Sequence, residues 1–198
     1  MKQLAILFAL LIVACSSDID DRTTSLQDGD LLFCYTPSGN AITDVTQGAE
    51  GLQIDHVGIF YKSHVIEAVR WRGVTITPLD SFLKDNHNYV VAAKVENANT
   101  KKSIERALSF VGLPYDSLFM PDDRAIYCSE LVQKSYVNDE DSLVFEPIPM
   151  SFHDENGEIT PYWTAFYQRY DMDVPEGWPG SNPGDLSRRK NVIIYRRW

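Results

Sequence analysis

At 198 residues, the chain is long enough to form one domain with a sizeable core, and 44% hydrophobic with 12% aromatic residues is a globular rather than a disordered composition. The chain carries 18 Lys and Arg against 28 Asp and Glu, a formal net charge of −10. Because binding to phosphates requires a surplus of basic residues on one face, this balance argues against nucleic acid as a partner.

The chain opens with "MKQLAILFALLIVAC", in which one Lys precedes a short apolar run from Leu4 to Val13. Such a run is typical of a secretory signal and is too short to span a membrane. The ending "IVAC" resembles the lipobox of bacterial lipoproteins, so residues 1–14 are predicted to be removed and Cys15 to carry the lipid. The alternative is an ordinary signal or a misassigned start.

Residues 15–27 then form a flexible tether, and 28–198 form the catalytic or binding domain. The acidic stretch "SSDIDD" would be repelled by anionic lipid, so the lipid anchor alone would hold the protein at the membrane. The expected location is the bacterial cell envelope, on the periplasmic side or at the surface.

The domain starts with strand-like segments in close succession. Strands are predicted at "GDLLFCY", "HVGIFY", "HVIEAV", "GVTITPL" and "YVVAAKV", with a short helix at Ala41 to Gln47 and a short helix or turn at "LDSFLKD". The second and third of these strands are separated by about two residues, which predicts a hairpin.

Two amphipathic helices follow. Ile104, Ala107, Leu108 and Val111 are spaced for one helical face, in a helix that begins near Thr100 and is stopped by Gly112 and Pro114. A second helix is predicted to begin near Cys128, with Leu131, Val132 and Ser135 on one face. Beyond Asn138 no period is evident until "NVIIYRRW" closes the chain as a strand, so the predicted class is α+β, an antiparallel sheet with helices against it.

Cys128 is predicted to lie at the first turn of its helix, where unpaired backbone N–H groups and the helix dipole stabilise a thiolate. Its thiol should point toward the sheet, because Leu131 and Val132 share its helical face. A nucleophilic Cys needs a neighbouring base, and His is the usual one. The alternative interpretation of Cys128 is a buried packing residue.

His56 is the candidate base. If the hairpin turn has two residues, at Lys62-Ser63 or at Ser63-His64, Glu67 lies on the same face of the sheet as His56. With the Lys62-Ser63 turn, Glu67 is diagonal to His56, and Gly58 opposite Glu67 leaves room for the two side chains to meet. Glu67 is a lone carboxylate in the apolar run "HVIEAV", and burying it without a partner would be costly. A three-residue loop would put Glu67 on the wrong face.

The ordered motifs "GDLLF", "DHVGIF", "VIEA", "GLPYD" and "YCSELV" resemble the YiiX-like branch of NlpC-type papain-like cysteine hydrolases. That resemblance implies a circularly permuted papain-like fold in which the His strand precedes the Cys helix. It also implies Cys128 as nucleophile, His56 as base and Glu67 as orienting residue. Tyr115, in "GLPYD", is similarly implied to bind the substrate carbonyl or oxyanion; packing is the alternative.

The implied reaction is hydrolysis of an amide in a cell-wall peptide or small peptide, with no cofactor. No metal is expected, because His64, His87 and His153 lack ligand-like spacing. One alternative is a lipid acyl hydrolase on the same permuted fold. Another is a non-catalytic envelope binding protein in which both internal cysteines are structural.

Cys34 could line the cleft or form a disulfide with Cys128, but a packing role is the favoured prediction because free Cys is commonly buried. The aromatic and acidic segment 145–185 is predicted to form a lid or wall over the site. Its Trp163 and Trp178 could equally belong to the core. The sequence leaves the oligomeric state open.

Overall fold

The computed structural model describes residues 26–198. The predicted signal, the predicted lipidation site Cys15 and most of the predicted tether lie outside these residues. Strands β1 to β8 are Leu31–Tyr35, Ile54–Tyr61, His64–Val69, Gly73–Pro78, Val90–Val95, Ile148–Pro149, Pro179–Gly180 and Val192–Arg197. Helices α1 to α5 are Leu79–Asp85, Thr100–Ser109, Cys128–Ser135, Pro161–Gln168 and Pro183–Ser187, with one 3₁₀ turn at Ala49–Gly51.

Six strands form one antiparallel sheet in the order β4-β3-β2-β1-β5-β8, and β6 pairs with β7 in a separate two-stranded ribbon. The predicted α+β class is confirmed. The five strands predicted before residue 96 and the closing strand all form, because each is rich in β-branched or aromatic residues.

The sheet is covered on both faces. One face carries Phe33, Ile59 and Ile66, which pack in one core cluster with Leu131 and Val132 of α3. The alternate residues of the same strands build a second cluster with α1, made of Leu32, Phe60, Val65, Phe82 and Leu83 among others. α3 and α1 therefore lie against opposite faces of the sheet, and the strands are buried on both sides. Groups from the two faces can meet at the ends of the strands.

The β2–β3 hairpin closes through a two-residue turn. Lys62 and Ser63 both have positive φ, 46° and 62°, the backbone of a type I′ turn that matches the twist of paired strands. Tyr61 therefore pairs with His64, and Gly58 pairs with Glu67. This is the register that the sequence predicted.

Two helix predictions need correction. Residues 41–44 form a single turn instead of the predicted helix: the Asp44 N–H donates to the Asn40 carbonyl at 2.9 Å, and the chain is irregular from residue 46 to Gly48. The helix predicted near Thr100, α2, does begin at Thr100, and its N-cap is Asn99, whose side chain accepts the Lys102 N–H. α2 also ends at Ser109, so Val111 lies outside it and is exposed.

The segment after Asn138 contains structure that its sequence did not predict. Residues of this segment, Met150, Phe152, Trp163, Phe166 and Tyr167, form a third apolar cluster. Trp163 is buried there, whereas Trp178 is 41% exposed. Within residues 26–198, none of the helices is both long and apolar enough to cross a bilayer.

Candidate active site

Cys128 is the first residue of α3 and is 5% exposed. Its position exposes the thiol to the unpaired N–H groups of the first turn, which favour a negative charge. The buried Glu130 carboxylate accepts the backbone N–H of Tyr127, at 3.4 Å, and so closes the helix start. Burial raises the pKa of Glu130 to about 7, an effect that its hydrogen bond with Lys134 opposes.

His56 and Glu67 meet on the α1 side of the sheet. The His56 Nε2 and a Glu67 carboxylate oxygen are 2.8 Å apart, and the Glu67 side chain is 4% exposed. Gly58, directly across from Glu67, permits the close pairing, because a Cβ at this position would collide with the Val65 side chain. The predicted diagonal contact between His56 and Glu67 is therefore present.

Two further side chains hold Glu67. The Thr77 hydroxyl donates to the second carboxylate oxygen at 2.5 Å, and the Arg72 guanidinium lies 3.6 Å from that oxygen. Burial alone would raise the pKa of Glu67, but the hydrogen bond and charge of His56, with Thr77 and Arg72, hold its pKa below the ordinary value. Glu67 is thus kept ionised beside the imidazole.

The imidazole of His56 is held in its charged form. Burial by itself would lower the pKa of His56, but hydrogen bonding to Cys128 and to Glu67 outweighs burial and raises it from 6.5 to about 10. Since Nε2 faces Glu67, Nδ1 is the nitrogen left for the Cys128 sulfur. An imidazole held in its charged form is the partner that a nucleophilic Cys requires.

Cys34 and Cys128 are both free thiols. Cys34 pairs across the sheet with His56 and is buried at 2% exposure in the α1-side core cluster. Burial, followed by the charges of Glu67, Asp55 and Cys128, raises the pKa of the Cys34 thiol well above its ordinary value. A neutral, buried thiol of this kind is a packing group, as the sequence analysis favoured.

Tyr115 lies in the loop between α2 and α3 and borders both cavities of the site. Burial raises its pKa, and the charges of Cys128 and Asp116 add to the rise while that of Arg70 opposes it. The phenol is therefore a neutral donor near the sulfur. Its position is compatible with either carbonyl binding or packing.

The cavity beside the Cys128 sulfur, here the thiol-side cavity, has a mainly apolar lining. Its apolar walls are Ile42, Val45, Phe119, Met150, Phe152 and Trp163. The Tyr127 hydroxyl accepts the Ser181 N–H at 3.0 Å and so ties the segment after β7 to this wall. Asp55, whose carboxylate accepts hydrogen bonds from Thr36 and Asn40, is an acidic member of the lining. Segment 145–185 thus provides a wall, one of the roles predicted for it.

The second cavity, here the imidazole-side cavity, has a volume of about 250 Å³ and lies against His56 and Glu67. Arg70, Arg72 and Asp85 are its other charged lining residues. The sequence analysis missed both the arginines and Thr77. Thr77 could have been predicted from the sequence, because extending the strand register to β4 places Thr77 diagonal to Glu67.

The fold is of the permuted papain-like class, and the strand that carries His56 precedes the helix that begins at Cys128. Residues 25–159 match the permuted papain-like amidases of the YaeF/YiiX type, the C92 family of peptidases. The chain therefore belongs to this permuted papain-like amidase family, as its motifs predicted.

The crystal structure of metalloprotein YiiX from Escherichia coli O157:H7 has the same fold. It superposes with a TM-score of 0.70 at 23% identity, over 87% of this chain and 97% of that one. Comparison with curated protein sequences found no match. Although YiiX is described as a metalloprotein, residues 26–198 of this chain hold no group of three or more His, Cys, Asp or Glu side chains that fits a metal ion.

Proposed function

We propose that the protein is a cysteine-dependent amidase that cleaves an amide bond in small peptides, including peptides derived from the cell wall. The observation that carries the proposal is the 2.8 Å contact between His56 Nε2 and buried Glu67, and Cys128 contributes beside it to the raised pKa of His56. Membership of an amidase family supports the same chemistry. Cys128 is the nucleophile, His56 the acid and base, and Glu67 the orienting group.

The reaction proceeds in two half-reactions. The Cys128 thiolate attacks the carbonyl carbon, the C–N bond breaks, and the imidazolium of His56 gives its proton to the departing amine, leaving a thioester. His56 then takes a proton from water as that water attacks the thioester. The acid product leaves with the oxygen of water, and the protonated imidazole and thiolate are restored.

The backbone N–H of Cys128 and the hydroxyl of Tyr115 stabilise the oxyanion in this scheme. The backbone donor belongs to the unpaired first turn of α3, and the phenol of Tyr115 remains protonated because burial raises its pKa. Donors that are in place before the substrate arrives stabilise the oxyanion with little reorganisation of the protein.

The apolar lining of the thiol-side cavity supports a second candidate, an acyl hydrolase acting on lipid. Alkyl groups and apolar amino-acid side chains both pack favourably against such a lining. A lipid attached at Cys15 would bring the site to the membrane surface of the cell envelope. Release of fatty acid from esters, without release of amines from amides, would favour this candidate.

The first experiment is to map alkylation of the two internal cysteines by iodoacetamide across pH, in the wild type and in His56→Ala. An activated pair predicts fast labelling of Cys128 well below the ordinary thiol pKa of about 8.5, lost in the variant. Fast labelling justifies a screen of peptide amides and lipid esters. Slow labelling with an ordinary profile in both proteins would instead favour a non-catalytic envelope binding protein.

A further inference from the structure

The imidazole-side cavity carries a positive charge that the catalytic scheme does not use. Its lining contains Arg70 and Arg72 against one further acid, Asp85, since the charges of His56 and Glu67 offset each other. Arg72 lies 3.6 Å from Glu67, but Arg70 forms no ion pair with an Asp or Glu among residues 26–198.

Arg70 is an exposed residue that lines the imidazole-side cavity. Its guanidinium lies 5.5 Å from the centre of the neighbouring Trp71 ring, a cation–π distance. Its charge also acts on the hydroxyl of Tyr115, where it opposes the rise in pKa. Arg70 therefore lies within electrostatic reach of the group that borders both cavities.

In the proposed reaction, the two parts of the substrate on either side of the scissile bond face different cavities. The acyl group becomes attached to the Cys128 sulfur and faces the apolar thiol-side cavity. The departing amine receives its proton from His56, so it leaves on the side that His56 lines. A leaving group in that position is next to Arg70 and Arg72.

We infer that the imidazole-side cavity recognises an anionic group on the leaving amine, namely the α-carboxylate of an amino acid. Arg is suited to this role because its planar guanidinium donates two parallel hydrogen bonds to a carboxylate. The inference rests on the proposed amidase function and narrows its substrates to N-acylated amino acids, including the carboxy-terminal residue of a short peptide. The mainly apolar lining of the thiol-side cavity favours an apolar acyl portion.

The test compares three leaving groups on one acyl group: octanoyl-glycine, octanoyl-glycinamide and octanoyl-phosphoethanolamine, with an acetyl-phenylalanyl set in parallel. We expect kcat/KM for the glycine compound to exceed that for glycinamide by about tenfold, mainly through KM. Arg70→Gln should bring that ratio close to one. Arg169→Gln, which removes an exposed arginine lining none of these cavities, should leave the ratio as in the wild type.

Equal rates for glycine and glycinamide would overturn the carboxylate site and leave the amidase proposal standing. A preference for phosphoethanolamine would identify the anion as a phosphate, as in a lipid headgroup, and would overturn the amino-acid assignment. Hydrolysis of none of the compounds would count against the amidase proposal itself. The carboxylate site would then be tested by binding alone: octanoyl-glycine should protect Cys128 from iodoacetamide at a lower concentration than octanoyl-glycinamide does.

Discussion

Replacing Glu67 with Gln removes the charge that supports the imidazolium but keeps the size of the side chain. In the wild type this carboxylate is 4% exposed and is held by His56 at 2.8 Å and Thr77 at 2.5 Å. A hydrogen bond to a buried charged group contributes about 1.5–3 kcal/mol, so Glu67→Gln should lower kcat/KM roughly 10- to 100-fold. The pKa of His56 should fall from about 10 toward its ordinary 6.5.

The same change alters stability in a pH-dependent way. Because the pKa of folded His56 is raised, its protonation stabilises the fold fully below pH 6.5, and this contribution is lost as pH rises through about 10. The pKa of Glu67 is lowered, so its contribution is present above its ordinary value and lost as pH falls. Glu67→Gln should therefore destabilise the protein most at neutral pH and least in acid.

The assay combines the rate of Cys128 alkylation across pH with urea unfolding at several pH values. The matched control is Glu105→Gln, the same chemical change at a side chain that is 63% exposed on α2. An alkylation profile for Glu67→Gln that matches both the wild type and the control would refute the orienting role of Glu67. Loss of activity with an unchanged pH profile would indicate that Glu67 acts only through structure.

Three further predictions concern single residues. Cys128→Ala should abolish turnover and active-site labelling, whereas Cys34→Ala should retain both, as peptide mass mapping and steady-state assays would show; equal losses would contradict the division of roles. Tyr115→Phe should lower kcat about 100-fold with little change in KM if its hydroxyl binds the oxyanion, and an unchanged kcat would mean that the ring only packs. Gly73→Ala should destabilise the fold by at least about 1 kcal/mol in urea, because φ is +68° and a Cβ would collide with the Leu113 carbonyl. Gly177→Ala, at a position with positive φ but open space around the added Cβ, should lower the free energy of unfolding less. An equal loss for the two variants would show that the collision with Leu113 is relieved.

The local sequence was sufficient to predict those features that depend on interactions between residues close together in the chain. The alternation of β2 and β3 and the two-residue turn at Lys62 and Ser63 fix the register, and the register alone puts Glu67 diagonal to His56. The start of α3 at Cys128 was predicted for the same kind of reason, since its apolar spacing begins there. At residues 41–47 the local signal was too short, and a single turn forms where a helix was predicted.

Only the tertiary structure decided what surrounds these groups. Thr77 and Arg72 reach Glu67 from β4 and the turn before it, and Arg70 borders the same cavity. The apolar wall comes from a segment that carries no periodic signal, because its aromatic residues pack against one another rather than along one regular element. The sequence by itself determined the fold class and the candidate nucleophile, base and orienting residue. The shape and charge of the substrate cavities arise from long-range packing, which no local pattern encodes.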